Sequence, residues 1–174
     1  MAGFVDRMVR AAKLDPNLYE EVEADKGALG QAMAVVVLSS LAAGIGGYVP
    51  GGILAGMVWG LLSWYVWAYL TYWFGTRLLA EAQTEADHGE LLRTLGFASA
   101  PGLVRVLGVI PGLWWIANLV ASVWMIAAMV IAVRQALDYE STPRAAVVCL
   151  AAWVVQGIAV VALYSLLGGP PAAS

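Results

Sequence analysis

The chain has 174 residues, of which 61% are hydrophobic and 12% charged, with a net charge of −3. A soluble domain carries roughly 45–50% apolar and about 25% charged residues, so this chain holds more apolar area than a soluble core of its length buries. The acidic balance and the lack of a dense basic cluster argue against a nucleic-acid partner, and a single cysteine, Cys149, precludes an internal disulfide or a thiolate metal cage.

Residues 1–26 alternate charged and apolar groups and lack a continuous apolar run. No cleavable signal peptide is therefore expected, and the first apolar stretch, from Ala28, is expected to stay as an anchor. At about 100° per residue, Phe4, Val5, Met8, Val9, Ala11 and Ala12 share one arc, and Asp6, Arg7, Arg10 and Lys13 the other. That separation predicts an amphipathic interfacial helix over residues 3–13 on the inner membrane surface, with Phe4, Met8 and Ala12 toward lipid. A helix packed on the cytoplasmic ends of its neighbours is the alternative. Asp15-Pro16 has the form of an N-cap with proline in the first helical turn. It predicts a second short helix through Asn17–Glu23, whose acidic residues anionic lipid repels. This helix is expected to stand off the membrane or to face a partner.

Five apolar stretches follow: Ala28–Tyr48, Gly51–Gly75, Leu95–Ile110, Leu113–Val133 and Ala145–Leu167. Four are long enough for a bilayer core, which takes about 20 helical residues. The third is short and holds Pro101, Gly102, Arg105 and Gly108, so a kinked or displaced segment is expected there. The fold class predicted is all-α: a five-helix transmembrane bundle preceded by an amphipathic helix. The division is a cytoplasmic segment 1–26, a membrane region 27–168 and a disordered tail 169–174. Val49-Pro50-Gly51-Gly52 and Pro111-Gly112 are turn sequences that close antiparallel hairpins. With five crossings, Arg7, Arg10, Lys13, Lys26, Arg77, Arg93, Arg134 and Arg144 all fall on one side, and the external turns and the tail carry no charge. Basic residues mark the cytoplasmic side, so the N-terminus is expected inside and the C-terminus outside.

Small residues recur every fourth position in Ser39, Ala43 and Gly47 and again in Gly52, Gly56 and Gly60. Such faces let helix backbones approach closely, and across the turn they pair 39 with 60, 43 with 56 and 47 with 52. Packing within the hairpin is expected; a homodimer surface is the alternative. Trp59, Trp64, Tyr65, Trp67, Tyr69, Tyr72, Trp73 and Phe74 crowd the second stretch. Trp64 and Trp67 lie deepest, where they serve helix packing or touch a pigment, quinone or sterol. Arg105 is the one charge at membrane depth, with no embedded carboxylate to neutralise it. It is expected to reach outward, to lipid phosphate or to Asn118. Arg105, Asn118 and Gln156 together form the candidate polar intramembrane site. Glu85, Asp87, His88 and Glu90 cluster in one loop, but their spacing matches no metal signature. No catalytic arrangement is visible, so no enzyme, cofactor or metal is expected.

Leu14-Asp15-Pro16 followed by Tyr19-Glu20-Glu21, then Leu91-Leu92-Arg93-Thr94-Leu95-Gly96-Phe97-Ala98-Ser99-Ala100-Pro101, then Val133-Arg134-Gln135-Ala136 with Ser141-Thr142-Pro143-Arg144-Ala145, resemble in order and spacing the Yip domain family. That resemblance, over roughly residues 14–165, implies a five-span helical fold with the N-terminus inside. It also implies a role in membrane organisation or trafficking with protein partners. The eukaryotic Asp-Leu-Tyr-Gly-Pro-type motif is absent, so a Rab-type GTPase is not expected as partner. The composition looks like that of a bacterial member, which places it in the inner membrane. The expected function is a non-enzymatic accessory or scaffold protein that binds membrane lipids and other membrane proteins or itself. The alternative is a transporter or channel for a small molecule, ion or lipid, using the polar site around Arg105.

Overall fold

The computed structural model describes residues 3–47 and 52–166. The turn through Val49-Pro50-Gly51 and the tail 169–174 lie outside the described residues. The described chain is helical: α1 (Phe4–Ala12), α2 (Pro16–Ala24), α3 (Leu29–Gly46), α4 (Gly52–Trp73), α5 (His88–Phe97), α6 (Trp114–Ala136) and α7 (Thr142–Leu166). A π turn, Phe74–Leu78, extends α4, and a 3₁₀ helix, Ala100–Val109, follows α5. Among the described residues, four helices are long and apolar enough to cross a membrane, over Lys26–Gly46, Gly52–Leu78, Trp114–Ala136 and Thr142–Leu163. In hydrocarbon every backbone N–H and C=O must be satisfied within the segment, which leaves the helix as the form these apolar runs adopt. Gly112 takes the left-handed conformation, φ +85°, that the Pro111-Gly112 turn requires.

The third predicted span is two pieces rather than one helix. Asp87 and Glu90 close a capping box that starts α5 seven residues before Leu95. Pro101 then supplies no N–H to the carbonyl of Phe97, which ends the α-helical ladder. The chain continues as ten residues of 3₁₀ helix, far longer than the usual few. The two pieces run parallel to α3. A Cβ on Gly96 would stand 2.6 Å from that of Ala32, one on Gly102 would meet the Ser39 hydroxyl, and one on Gly108 the carbonyl of Gly46. The slimmer 3₁₀ cylinder lies between α3 and α6, and Pro101 and Gly102 are fully enclosed.

This placement corrects the expected hairpin register. Ser39 packs on Gly102, and Gly47 on the indole of Trp114, so the small face of α3 is given to the 3₁₀ segment and α6. Helix α4 meets α3 one residue further round: Gly60 packs on Ser40, and Gly44 on Ile53. Ala43 and Gly56 are half-buried, and Gly52 has nothing within 4 Å of where a Cβ would stand. The physical reason is that the 3₁₀ helix also carries glycines and approaches closer than the aromatic-rich α4 can.

The N-terminal helices also differ from expectation. Phe4 and Met8 pack against the bundle rather than toward lipid, Ala11 is fully buried, and Val5 and Val9 are exposed. Helix α2 turns its apolar side to protein: Leu18, Tyr19 and Val22 are buried against α5 and α6. The indole of Trp124 donates to the carbonyl of Ala12 (2.8 Å), which ties the end of α1 to α6. The core is thus concentrated at the charged end of the bundle. On α4 and α7, Leu54, Val58, Trp153, Ile158 and Val161 are largely exposed.

Candidate functional site: the charged collar and Arg105

The helices α1 and α2 fold back on each other through Lys13-Leu14-Asp15, with Leu14 at φ +61°. That turn sets the basic arc of α1 against the acidic residues of α2. Arg7, only 4% exposed, donates from Nε to Glu21 (2.9 Å), from one terminal nitrogen to Asp25 (2.9 Å) and from the other to Gln31 of α3 (3.1 Å). Arg10 pairs with Asp15 (2.8 Å) and with the second oxygen of Glu21. The Arg10 hydrogen bonds hold the Asp15 and Glu21 carboxyls below their ordinary range, and Arg7 does the same for Asp25. Burial opposes the Arg7 charge, but the bonds to Asp25 and Glu21 outweigh it and raise its pKa. Asp15 also caps α2 by accepting from Asn17 N (3.1 Å), in keeping with the Asp15-Pro16 signal.

Arg93, from α5, donates to the carbonyls of Val22 (3.0 Å) and Glu23. It thereby occupies the negative end of α2, where carbonyls have no helical partner. Tyr139 plays a similar part for α4, giving its hydroxyl to the carbonyls of Gly75 (2.8 Å) and Leu79 (2.9 Å); burial pushes that hydroxyl up to about 12. Glu81 pairs with Arg144 (3.5 Å) and accepts from Glu140 N (2.9 Å), and Gln135 donates to Glu20 (2.7 Å).

Glu23 stands apart, because its carboxylate has no cation of its own. Burial first, then Glu90 and Asp138, push it up to about 7, with Arg93 only partly opposing. Its ordinary value is 4.5, so the folded chain binds more protons than the unfolded one between those values. Stability is therefore expected to fall as pH rises through that window. Glu23→Gln should match the wild type at pH ~5 and unfold at a higher temperature at pH ~8. Asp138, raised by burial and by Glu85 and Glu20, leaves a smaller residual slope in the variant. Thermal unfolding in detergent across pH checks this; an unchanged slope in Glu23→Gln would contradict it.

The acidic loop cluster does not converge. Asp87 and Glu90 are engaged in the capping box, and His88 turns to α4, where Tyr65 and Tyr69 meet its ring edge-on at 5.0 and 5.7 Å and Tyr72 at 6.3 Å. Among the described residues no three His, Cys, Asp or Glu side chains are placed to hold a metal ion. Trp64 and Trp67 pack in the core, and their indole nitrogens are buried without an acceptor. Cys149 is buried on α7.

The three members of the polar intramembrane site each bond to a different partner. Arg105 donates to Ser122 on α6 (3.3 Å), Asn118 to the carbonyl of Trp114 on its own helix (2.8 Å), and Gln156 to the carbonyl of Ser63 on α4 (3.3 Å). Arg105 therefore bonds to the hydroxyl one turn beyond Asn118 on α6, not to Asn118. The Arg7–Glu21–Asp25 cluster and the Arg93 cap escaped the sequence reading. Their signal was the charge complementarity of two adjacent short helices, one basic and one acidic.

A helical bundle with four bilayer-length apolar helices and its ionic groups gathered at one end is an integral membrane protein. The Yip1 domain matches residues 15–164, and the chain belongs to that family. No curated protein and no solved structure matches it.

Proposed function

We propose that the chain is a non-enzymatic accessory or scaffold protein of the bacterial inner membrane, binding other membrane proteins or organising the bilayer. The observation that carries this reading is the use made of its polar side chains. Arg7, Arg10, Arg93, Tyr139, Asn118 and Gln156 each hold a neighbouring helix end, carboxylate or carbonyl. These side chains serve the architecture. Family membership supports membrane-protein partners. Arg105, Asn118 and Gln156 bond to Ser122, Trp114 and Ser63 rather than to one another, which lends less support to the transport alternative.

We also propose that the α5–3₁₀ segment is a fifth crossing, with the charged collar in the cytoplasm. Ten residues of 3₁₀ helix rise about 20 Å, against about 15 Å for an α-helix. That extra rise makes a short stretch long enough to follow α3 to its end at Gly46. A photo-crosslinking residue at Val5 or Trp153, each 70% exposed, tests the partner reading in native membranes. Discrete adducts with a membrane protein or a second copy are expected. Lipid adducts alone, together with solute flux in liposomes holding only this chain, would overturn it.

A further inference from the structure

We propose that the Arg105 guanidinium is a binding site for the phosphate of an anionic lipid in the leaflet at the uncharged end of the bundle. Its only hydrogen bond among the described residues goes to the neutral Ser122 hydroxyl, at 3.3 Å. A planar fork of five donors held by one hydroxyl lacks the anion it is shaped for. No Asp or Glu side chain supplies that anion. All 12 Asp and Glu residues lie in segments at the charged end, and the undescribed stretches 48–51 and 167–174 contain neither residue type.

The position of Arg105 decides which anion reaches it. Its backbone carbonyl lies against Gly46, the last residue of α3, and the next residue, Gly47, meets Trp114 at the start of α6. Arg105 therefore stands at the level where α3 stops, not at the middle of the bundle. Its neighbours Val106, Leu107, Val109 and Ile110 are all exposed, as are Trp114 and Trp115, more than half their surface each. Apolar and indole groups of this kind face lipid at a membrane boundary. A lipid phosphate arrives there with its acyl chains along the exposed 3₁₀ face, whereas a free hydrated phosphate has to shed water against apolar walls. Two parallel N–H···O bonds from one guanidinium to one phosphate fix both charge and orientation. The bond to Ser122 holds the fork beside α6. This inference does not rest on the scaffold reading, and either can fail without the other.

The test is the full chain reconstituted in phosphatidylcholine, with spin-labelled phosphatidylglycerol or phosphatidylcholine read by electron paramagnetic resonance. The wild type should retain the anionic probe about fivefold over the zwitterionic one, the ratio expected for one basic side chain at such a surface. Arg105→Gln should lose that increment, whereas Arg144→Gln, whose guanidinium is paired with Glu81 at the charged end, should leave it in place. If Arg105→Gln does not insert, Arg105→Lys keeps the charge but not the fork, and should retain only part of the preference. A preference equal to wild type in either Arg105 variant overturns the proposal. Loss of the preference on adding inorganic phosphate at constant ionic strength would assign the site to a free anion and also overturn it.

Discussion

Gly46→Leu is expected to destabilise the bundle by about 3 kcal/mol, at the upper end of the usual cost of overpacking. A Cβ at Gly46 would run into the carbonyl of Arg105 and come within 2.8 Å of its carbonyl carbon, with the Cα of Gly108 at 3.4 Å. The obstacle is backbone on both sides, so no rotamer change relieves it; α3 and the 3₁₀ segment must move apart. That separation also loosens the Ser39–Gly102 and Ala32–Gly96 contacts along the same face. Gly30→Leu, where nothing stands within 4 Å, is the matched control and should change stability little. Unfolding of both variants in detergent, followed by circular dichroism, separates the two cases. Equal stability of Gly46→Leu and Gly30→Leu would contradict the close packing.

Arg7→Met is expected to release α1 and to cost about 2 kcal/mol. Breaking a buried ion pair by removing one partner typically costs about 3–5 kcal/mol. Here Glu21 and Asp25 keep 32% and 38% of their side chains exposed, so water takes up part of the lost stabilisation. Amide exchange over residues 7–12 should speed up while α3 and α6 keep their protection. Adding Asp25→Asn to Arg7→Met should recover part of the loss, because Asp25 is then no longer a carboxylate without a cation, whereas Glu21 keeps Arg10. If α1 exchanges at the wild-type rate in Arg7→Met, the apolar contacts of Phe4, Met8 and Ala11 hold it without the ionic network.

Much of this fold is legible from residue pattern, because lipid makes apolar length a direct signal. The bounds of α3, α4, α6 and α7 fall within a few residues of the apolar runs, and Asp15-Pro16 and Pro111-Gly112 act as the cap and turn they spell. The third segment was harder to read because its period is not that of an α-helix. Gly96, Gly102 and Gly108 are spaced by six, which places no two on one α-helical face. At three residues per turn, Gly102 and Gly108 coincide, and they do line the contact with α3. The hairpin register differs for a related reason: part of the small face of α3 meets the glycines of the 3₁₀ segment, which share a face only at three residues per turn. The arcs of α1 do not divide as the sequence suggests, since Val5 and Val9 are exposed and Arg7 is buried, and amphipathicity does not say whether an apolar side meets lipid or protein. The acidic α2 beside it, which anionic lipid repels and Arg7 attracts, carried that information.

The side of the membrane on which each end of the bundle lies underpins both the placement of the collar in the cytoplasm and that of Arg105 in the opposite leaflet. The decisive measurement is labelling of single cysteines by a membrane-impermeant maleimide on intact cells, in a chain with Cys149→Ala. Gly112, between the 3₁₀ helix and α6, and Asp138, between α6 and α7, are both exposed. If the 3₁₀ segment completes a crossing with the N-terminus inside, Gly112→Cys labels from outside and Asp138→Cys labels only after the cells are opened. If the segment turns back on the inner side, the pattern reverses: Asp138→Cys labels on intact cells and Gly112→Cys does not, which would contradict both the five-crossing arrangement and the cytoplasmic collar.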